Sequence, residues 1–121
     1  MQAIYEHSWR LHIKTGTILE EDLYGEYRVI GVEITQQVTR VEYKYRLFFY
    51  PIKERFPILA INLEKNAFVD KFGGGSYFLG IHDASAHYNM GIALEGKADI
   101  DYDEFRDAAW LLATARLDLE D

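Results

Sequence analysis

The chain has 121 residues, a length typical of one domain, and its hydrophobic fraction of 49% is sufficient for a buried core. It contains no cysteine, which excludes a disulfide framework, a thiol nucleophile and a zinc site built on thiolates. The net charge is −7, which disfavours sequence-independent nucleic-acid binding, because that binding depends on neutralising phosphates. We therefore expect a single α+β domain over residues 1–121 with no nucleic-acid partner.

Two elements are predicted near the N-terminus. Polar and apolar residues alternate over residues 5–14, and this period of two predicts a half-buried strand that ends at Gly16. The following tetrad, Thr-Ile-Leu-Glu at 17–20, has the spacing of a helix capping box. We therefore expect a short helix over residues 18–24, stopped by Gly25.

A hairpin is predicted from residues 27–34 and 38–50, either with its turn at Gln36-Gln37 or with a longer loop, because Gln-Gln is a poor tight-turn pair. In the register of the tight turn, one face of the hairpin is apolar and the other carries an opposite-charge pair. The predicted pairs are Val32 with Val41, Ile30 with Tyr43, and Glu33 with Arg40.

The two middle strands are predicted to differ in how they are covered. In the segment 38–50, aromatic and aliphatic residues alternate with charged ones, so we expect Glu42, Lys44 and Arg46 to point outward. Residues 58–63 are apolar at nearly every position. Such a segment is typical of a strand covered on both faces, in the centre of the sheet or under a helix.

A last hairpin is predicted from residues 76–82 and 87–94, around the turn-prone tetrad 83–86. Its register pairs His82 with His87 and Gly80 with Asn89. Directly opposite residues have Cβ atoms about 5 Å apart, close enough for two imidazoles to share a metal ion. A metal site of His82, His87 and Asn89 is one hypothesis. Solvated histidines beside an exposed turn are the simpler interpretation, and we expect no cofactor.

The C-terminal segment predicts a helix that begins at Asp101 as N-cap, with Glu104 as its capping partner. Its apolar stripe is wide enough to cover one face of a sheet, and three residues extend beyond it: Trp110, Leu111 and Leu117. The predicted fold is thus α+β, with five or six antiparallel strands in largely sequential order packed on one C-terminal helix.

The acidic residues are concentrated on this helix. Residues 99–121 carry eight acidic side chains against two arginines, whereas residues 40–71 carry seven basic side chains against four acidic ones. An acidic face beside excess apolar residues indicates a protein-binding surface, for which we select Asp103, Asp107, Trp110 and Leu117. The partner is either another protein or a second copy of the chain.

The function predicted from the sequence is non-catalytic protein–protein interaction, as an inhibitor, an antitoxin, an immunity-type binder or a homo-oligomeric module. The chain lacks the Gly-x-Ser-x-Gly, His-Glu-x-x-His and P-loop patterns, so we assign no catalytic residue. Two alternatives remain: an enzyme that uses the face of His82 and His87, either with a metal or by acid/base chemistry, and a small-ligand binder with its pocket between sheet and helix.

The compartment is predicted from three features of the chain. No apolar stretch reaches the roughly 18 residues that a membrane helix needs, and the first ten residues lack the basic-then-apolar order of a signal peptide. The lack of cysteine fits a reducing compartment. We therefore expect a cytoplasmic protein without a membrane partner.

Overall fold

The computed structural model describes residues 8–65, 76–84, 88–94 and 99–119. Two helices and six strands lie within these ranges. In chain order they are α1 (Ser8–Thr15), β1 (Thr17–Tyr24), β2 (Tyr27–Glu33), β3 (Tyr43–Pro51), β4 (Leu59–Lys65), β5 (Tyr77–Asp83), β6 (Tyr88–Leu94) and α2 (Tyr102–Thr114).

The six strands form one antiparallel sheet in the order β1-β2-β3-β4-β5-β6. Each strand pairs with its neighbours along the chain, as consecutive hairpins require. Helix α2 packs on one face of the sheet against β3 and β4, and Trp9 of α1 joins the hydrophobic cluster on the opposite face. The α+β fold, with sequential strands and one C-terminal helix, is confirmed.

The two elements predicted near the N-terminus are wrong. Residues 8–15 form helix α1, not a strand, because Trp9, His12 and Ile13 also recur at the spacing of one helix face, and that face is buried or half-buried. Residues 18–24 belong to strand β1, not a helix. Gly25, at φ 58°, makes a tight turn that joins β1 to β2, and pairing with β2 outweighs the local capping signal.

The hairpin of β2 and β3 has the longer of the two predicted loops, and the tight turn at Gln36-Gln37 is wrong together with the strand pairs predicted from it. Its true register sets Glu33 opposite Tyr45 and Ile30 opposite Phe48. The Gln37 side chain satisfies the backbone at the start of β3: its Nε2 donates to Tyr43 O at 2.9 Å, and Tyr43 N donates to its Oε1 at 3.1 Å. The Gln37 side-chain amide thus takes the place of a backbone partner for Tyr43, and the pairing of β2 with β3 ends before the predicted turn.

Strands β3 and β4 are both covered on their two faces. The apolar residues 59–61 of β4 are fully buried, as predicted for a central strand. In β3, however, the outward position predicted for Arg46 is wrong, because its side chain is 0% exposed. Helix α1 lies on that face and encloses the Arg46 side chain, whereas the sequence pattern of these N-terminal residues predicts a strand.

The hairpin of β5 and β6 forms with its register shifted by two residues. Ile81 lies opposite Met90, and His82 lies opposite Asn89 instead of His87. A shift of two residues keeps each β5 residue on its predicted face, because side chains alternate with a period of two. His87 lies outside the described residues.

Helix α2 begins as predicted. Asp101 is the N-cap in an extended conformation, and its Oδ1 accepts a hydrogen bond of 2.9 Å from Glu104 N. Phe105, Ala109 and Ala113 are fully buried against the sheet. Small residues at two of these three positions let the helix lie close to the strands.

Candidate functional site

A buried polar cluster lies under α1, and we call it the Arg46 cluster: Ser8, His12, Arg46 and Asn62. Arg46 Nε donates to Asn62 Oδ1 at 2.6 Å, and its Nη1 donates to Ser8 Oγ at 3.0 Å. The same nitrogen lies 2.9 Å from His12 Nδ1. Because arginine has only donors, His12 Nδ1 must accept, and the ring proton is therefore on Nε2.

Helical spacing on α1 and the strand register of β3 and β4 explain how the Arg46 cluster assembles. Ser8 and His12 are four residues apart on α1 and so share one face of that helix. Arg46 and Asn62 are direct partners in the register of β3 and β4. The guanidinium carbon also lies 4.3 Å from the ring centroid of Tyr43 and 4.8 Å from that of Phe48, so two π-faces help to balance its buried charge.

The Arg46 cluster joins helix α1 to the sheet through hydrogen bonds, and its geometry does not suit nucleophilic catalysis. A nucleophilic serine needs a base placed to take its proton, but the Nδ1 lone pair of His12 already accepts from Arg46. All four residues are at most 7% exposed, so solvent has little access to them. We therefore assign the cluster to anchoring α1 on the sheet and not to catalysis.

A second polar contact joins α2 to the edge strand β1. Arg106 Nε lies 3.1 Å from Glu20 Oε1, and the hydroxyl of Tyr102 donates to the same carboxylate oxygen. Arg106 Nη2 donates to Tyr24 Oη at 3.2 Å, and its guanidinium carbon lies 4.0 Å from the Trp110 ring centroid. These contacts hold the helix against the edge of the sheet, so α2 and β1 present one continuous surface.

Burial raises the pKa of the Tyr102 hydroxyl, and the hydrogen bond to Glu20 raises that pKa further. The phenol therefore stays protonated and keeps its donor role across the physiological range. Gly31 makes room for it, since a Cβ at Gly31 would lie 1.9 Å from Tyr102 Oη and 3.1 Å from Glu20 Cγ. Only a residue without a side chain fits beneath the phenol here.

We expect Gly31→Ala to lower the free energy of unfolding by about 1–3 kcal/mol, because the added methyl displaces the Tyr102 hydroxyl from Glu20. Denaturant unfolding of the single variant, of Tyr102→Phe and of the double variant forms a complete cycle. The cost of Gly31→Ala should shrink in the Tyr102→Phe background, where the oxygen is absent. An equal cost in both backgrounds would show that the clash lies elsewhere.

Three acidic residues on this side of the molecule form what we call the acidic surface: Asp22, Asp103 and Asp107. Asp103 and Asp107 lie on the exposed side of α2. Asp22 is the register partner of Val29, whose side chain belongs to the hydrophobic cluster under α2. Within the described ranges, the ion pairs engage Glu20, Glu42, Asp83 and Asp99, and none of these three residues.

The structure places the four selected binding residues in two different environments. Asp103 and Asp107 are exposed. Trp110 is half-buried, with its ring centroid 4.7 Å from that of Tyr24, and Leu117 packs partly against the core under α2. Most of the apolar excess of the helix is thus covered by the chain itself, and Leu111 is left 73% exposed.

The structure describes only part of the metal site predicted from His82, His87 and Asn89. His82 is half-buried in β5 opposite Asn89, but His87 and the side chain of Asn89 lie outside the described residues. Among the residues whose side chains are described, no group of three potential ligands could hold a metal ion. His12 belongs to the Arg46 cluster.

A pocket of about 250 Å³ lies at the end of the sheet where β3 and β5 begin. Lys44 borders it and forms an ion pair of 2.5 Å with Asp99. Partial burial lowers the pKa of Lys44, but the hydrogen bond from its ammonium to Asp99 and the nearby groups of Asp99, Tyr45 and Tyr77 together raise that pKa more, so the net direction is upward. The pocket is lined by Ile34, Gln37, Glu42, Tyr43, Lys44, Lys65, Tyr77 and Asp99.

This pocket differs in position from the one predicted between sheet and helix. In the described part of the chain, the space under α2 is filled by aromatic rings, with Tyr45 and Phe105 stacked at 5.7 Å.

Comparisons of the chain with protein-family models, with curated protein sequences and with solved structures found no match. Among the described residues, neither helix is long and apolar enough to cross a membrane.

Proposed function

We propose that the protein is a non-catalytic binder of a basic protein partner, acting as an inhibitor, an antitoxin or an immunity-type protein. The observation that carries this proposal is the acidic surface, where Asp103 and Asp107 on α2 are exposed and lie outside the ion pairs of the described chain. Acids left exposed together favour association with a positively charged surface, because complementary potentials guide encounter and orientation.

The position of the acids supports binding over a purely local role. Acids in the first turn of a helix stabilise it through the helix dipole, and Asp103 fits that role. Asp107 lies a full turn further on, where this effect has faded, and Asp22 is on a different element. Their placement on one side of the sheet is therefore better explained by a binding surface than by helix capping.

The test is binding of a 20-residue lysine-rich peptide, measured by titration calorimetry at two salt concentrations. We expect Asp103→Asn combined with Asp107→Asn to weaken binding by about two- to thirtyfold at low salt, since each exposed ion pair contributes roughly 0.2–1 kcal/mol. Raising the salt should weaken binding to the wild type more than to the variant, because screening acts on charge pairs.

The matched control is Asp118→Asn, which removes an exposed acid beyond the end of α2. It should leave binding unchanged, and thermal unfolding should show that all variants remain folded. If the double variant binds like the wild type, or if Asp118→Asn weakens binding equally, the acidic surface is not the binding surface.

A further inference from the structure

We propose that β1 accepts an extended, lysine- or arginine-rich segment of the partner as a seventh strand of the sheet. This inference rests on the proposed function and deepens it, because it supplies the binding mode for the same basic partner. It concerns the backbone of the edge strand, whereas the proposed function concerns charge alone, and the two therefore fail in different ways.

The first observation is the open edge of the sheet. β1 is the terminal strand of the order, and in the described part of the chain it pairs only with β2. Six of its eight residues are exposed. An edge strand presents a row of backbone N–H and C=O groups that can pair with an added strand.

The second observation is that this edge exposes aliphatic side chains. Leu23 is 66% exposed, Ile18 is 47% exposed and Leu19 is 40% exposed. An edge that needed only protection from association would carry polar residues at these positions. The three side chains instead offer contact area to the alternate side chains of an added strand.

The third observation is that acids occupy both faces of the same strand. Glu21 is opposite Ile30, on the face that carries α1, and Asp22 is opposite Val29, on the face that carries α2. Both carboxylates are exposed. A basic strand therefore finds an opposite charge on whichever face its lysines or arginines point to, and such cross-strand pairs are stabilising.

The same acids argue against a second copy of the chain as the added strand. Acidic residues fill positions 20–22, at the centre of β1. An antiparallel, two-fold pairing centred on this strand would set acids opposite the acids of the other copy, which is destabilising. A separate basic segment is the occupant that fits.

The experiment uses an eight-residue peptide of alternating lysine and valine, which is long enough to span β1. Two further versions of this peptide are N-methylated at alternate residues, so that each version lacks the backbone donors along one edge of the peptide strand. Methylation removes backbone donors but keeps the charge. We expect the unmethylated peptide to bind and to slow hydrogen exchange of β1 amides. One methylated version should bind at least about tenfold more weakly, because several backbone hydrogen bonds are lost.

Charge variants of β1 and of α2 distinguish strand addition at β1 from binding by charge alone. Glu21→Gln with Asp22→Asn should weaken binding of the unmethylated peptide by about two- to thirtyfold. If all three peptides bind equally and binding still depends on Asp103 and Asp107, the proposed function stands and the added strand is wrong. If none of the peptides binds, or if protection appears on β6 and not on β1, the added strand at β1 is wrong as well.

Discussion

Replacing Arg46 by methionine is expected to lower the free energy of unfolding by about 3–5 kcal/mol, the usual cost of removing one partner from a buried charged cluster. Methionine roughly matches the length of the arginine stem but donates no hydrogen bond. The acceptors Asn62 Oδ1, Ser8 Oγ and His12 Nδ1 would remain buried without their present donor. Each buried polar group left unsatisfied costs about 1–3 kcal/mol. Denaturant unfolding measures the sum.

Two further variants identify the cause of this loss. Arg46→Lys keeps the charge but cannot reach acceptors in two directions, so it should also be strongly destabilising. Arg28→Met removes a half-buried arginine from the same face, whose guanidinium carbon lies 4.9 Å from the Tyr50 ring centroid, and should cost about 1 kcal/mol or less. If Arg46→Met is no worse than Arg28→Met, the Arg46 cluster does not anchor α1.

The C-terminal helix was predictable because its signals are local and agree with each other. Asp101 and Glu104 are three residues apart, and the N-cap hydrogen bond forms between these two residues. The apolar run in β4 was equally direct, since a strand apolar at successive positions has to be covered on both faces. In both cases the residues of one short segment are enough to predict how that segment is placed.

The N-terminal helix could not be predicted from its own residues. A segment of eight residues is too short to separate a period of two from a period of 3.6, and an isolated helix of that length is marginal. It is held in place by the Arg46 cluster, whose two strand residues, Arg46 and Asn62, lie 34 or more residues along the chain from His12. Because Arg46 alternates with apolar residues, local pattern alone placed it outside.

The exposed acids on α2 were predictable from the sequence, but the contacts that hold α2 against β1 were not. Asp103 and Asp107 follow from composition and helical spacing, because acids off the apolar stripe are exposed. The contact between Glu20 and Arg106 joins residues 86 positions apart, and no local pattern encodes it. Gly31 gave one usable signal, since a glycine inside a strand often marks a close approach of another group, here the Tyr102 hydroxyl.

Ending the chain at residue 100 is expected to abolish cooperative folding. Helix α2 covers a sheet face whose residues are fully buried, and its own Phe105, Ala109 and Ala113 are buried against them. Losing a buried phenylalanine alone costs about 3–5 kcal/mol, and a domain has only about 5–15 kcal/mol in total. Exposing Leu47, Phe49 and Ile61 to water adds to that loss. Thermal unfolding of the 1–100 fragment, followed by circular dichroism, measures the outcome.

Point variants on α2 make this prediction quantitative in the full-length chain. Phe105→Ala should lower the free energy of unfolding by about 3–5 kcal/mol, because it opens a cavity between helix and sheet. The matched control is Leu111→Ala on the exposed side of the same helix, which should stay within about 0.5 kcal/mol. A soluble 1–100 fragment that melts cooperatively, together with a mild Phe105→Ala, would show that the sheet folds on its own and that α2 is an appendage carrying the acidic surface.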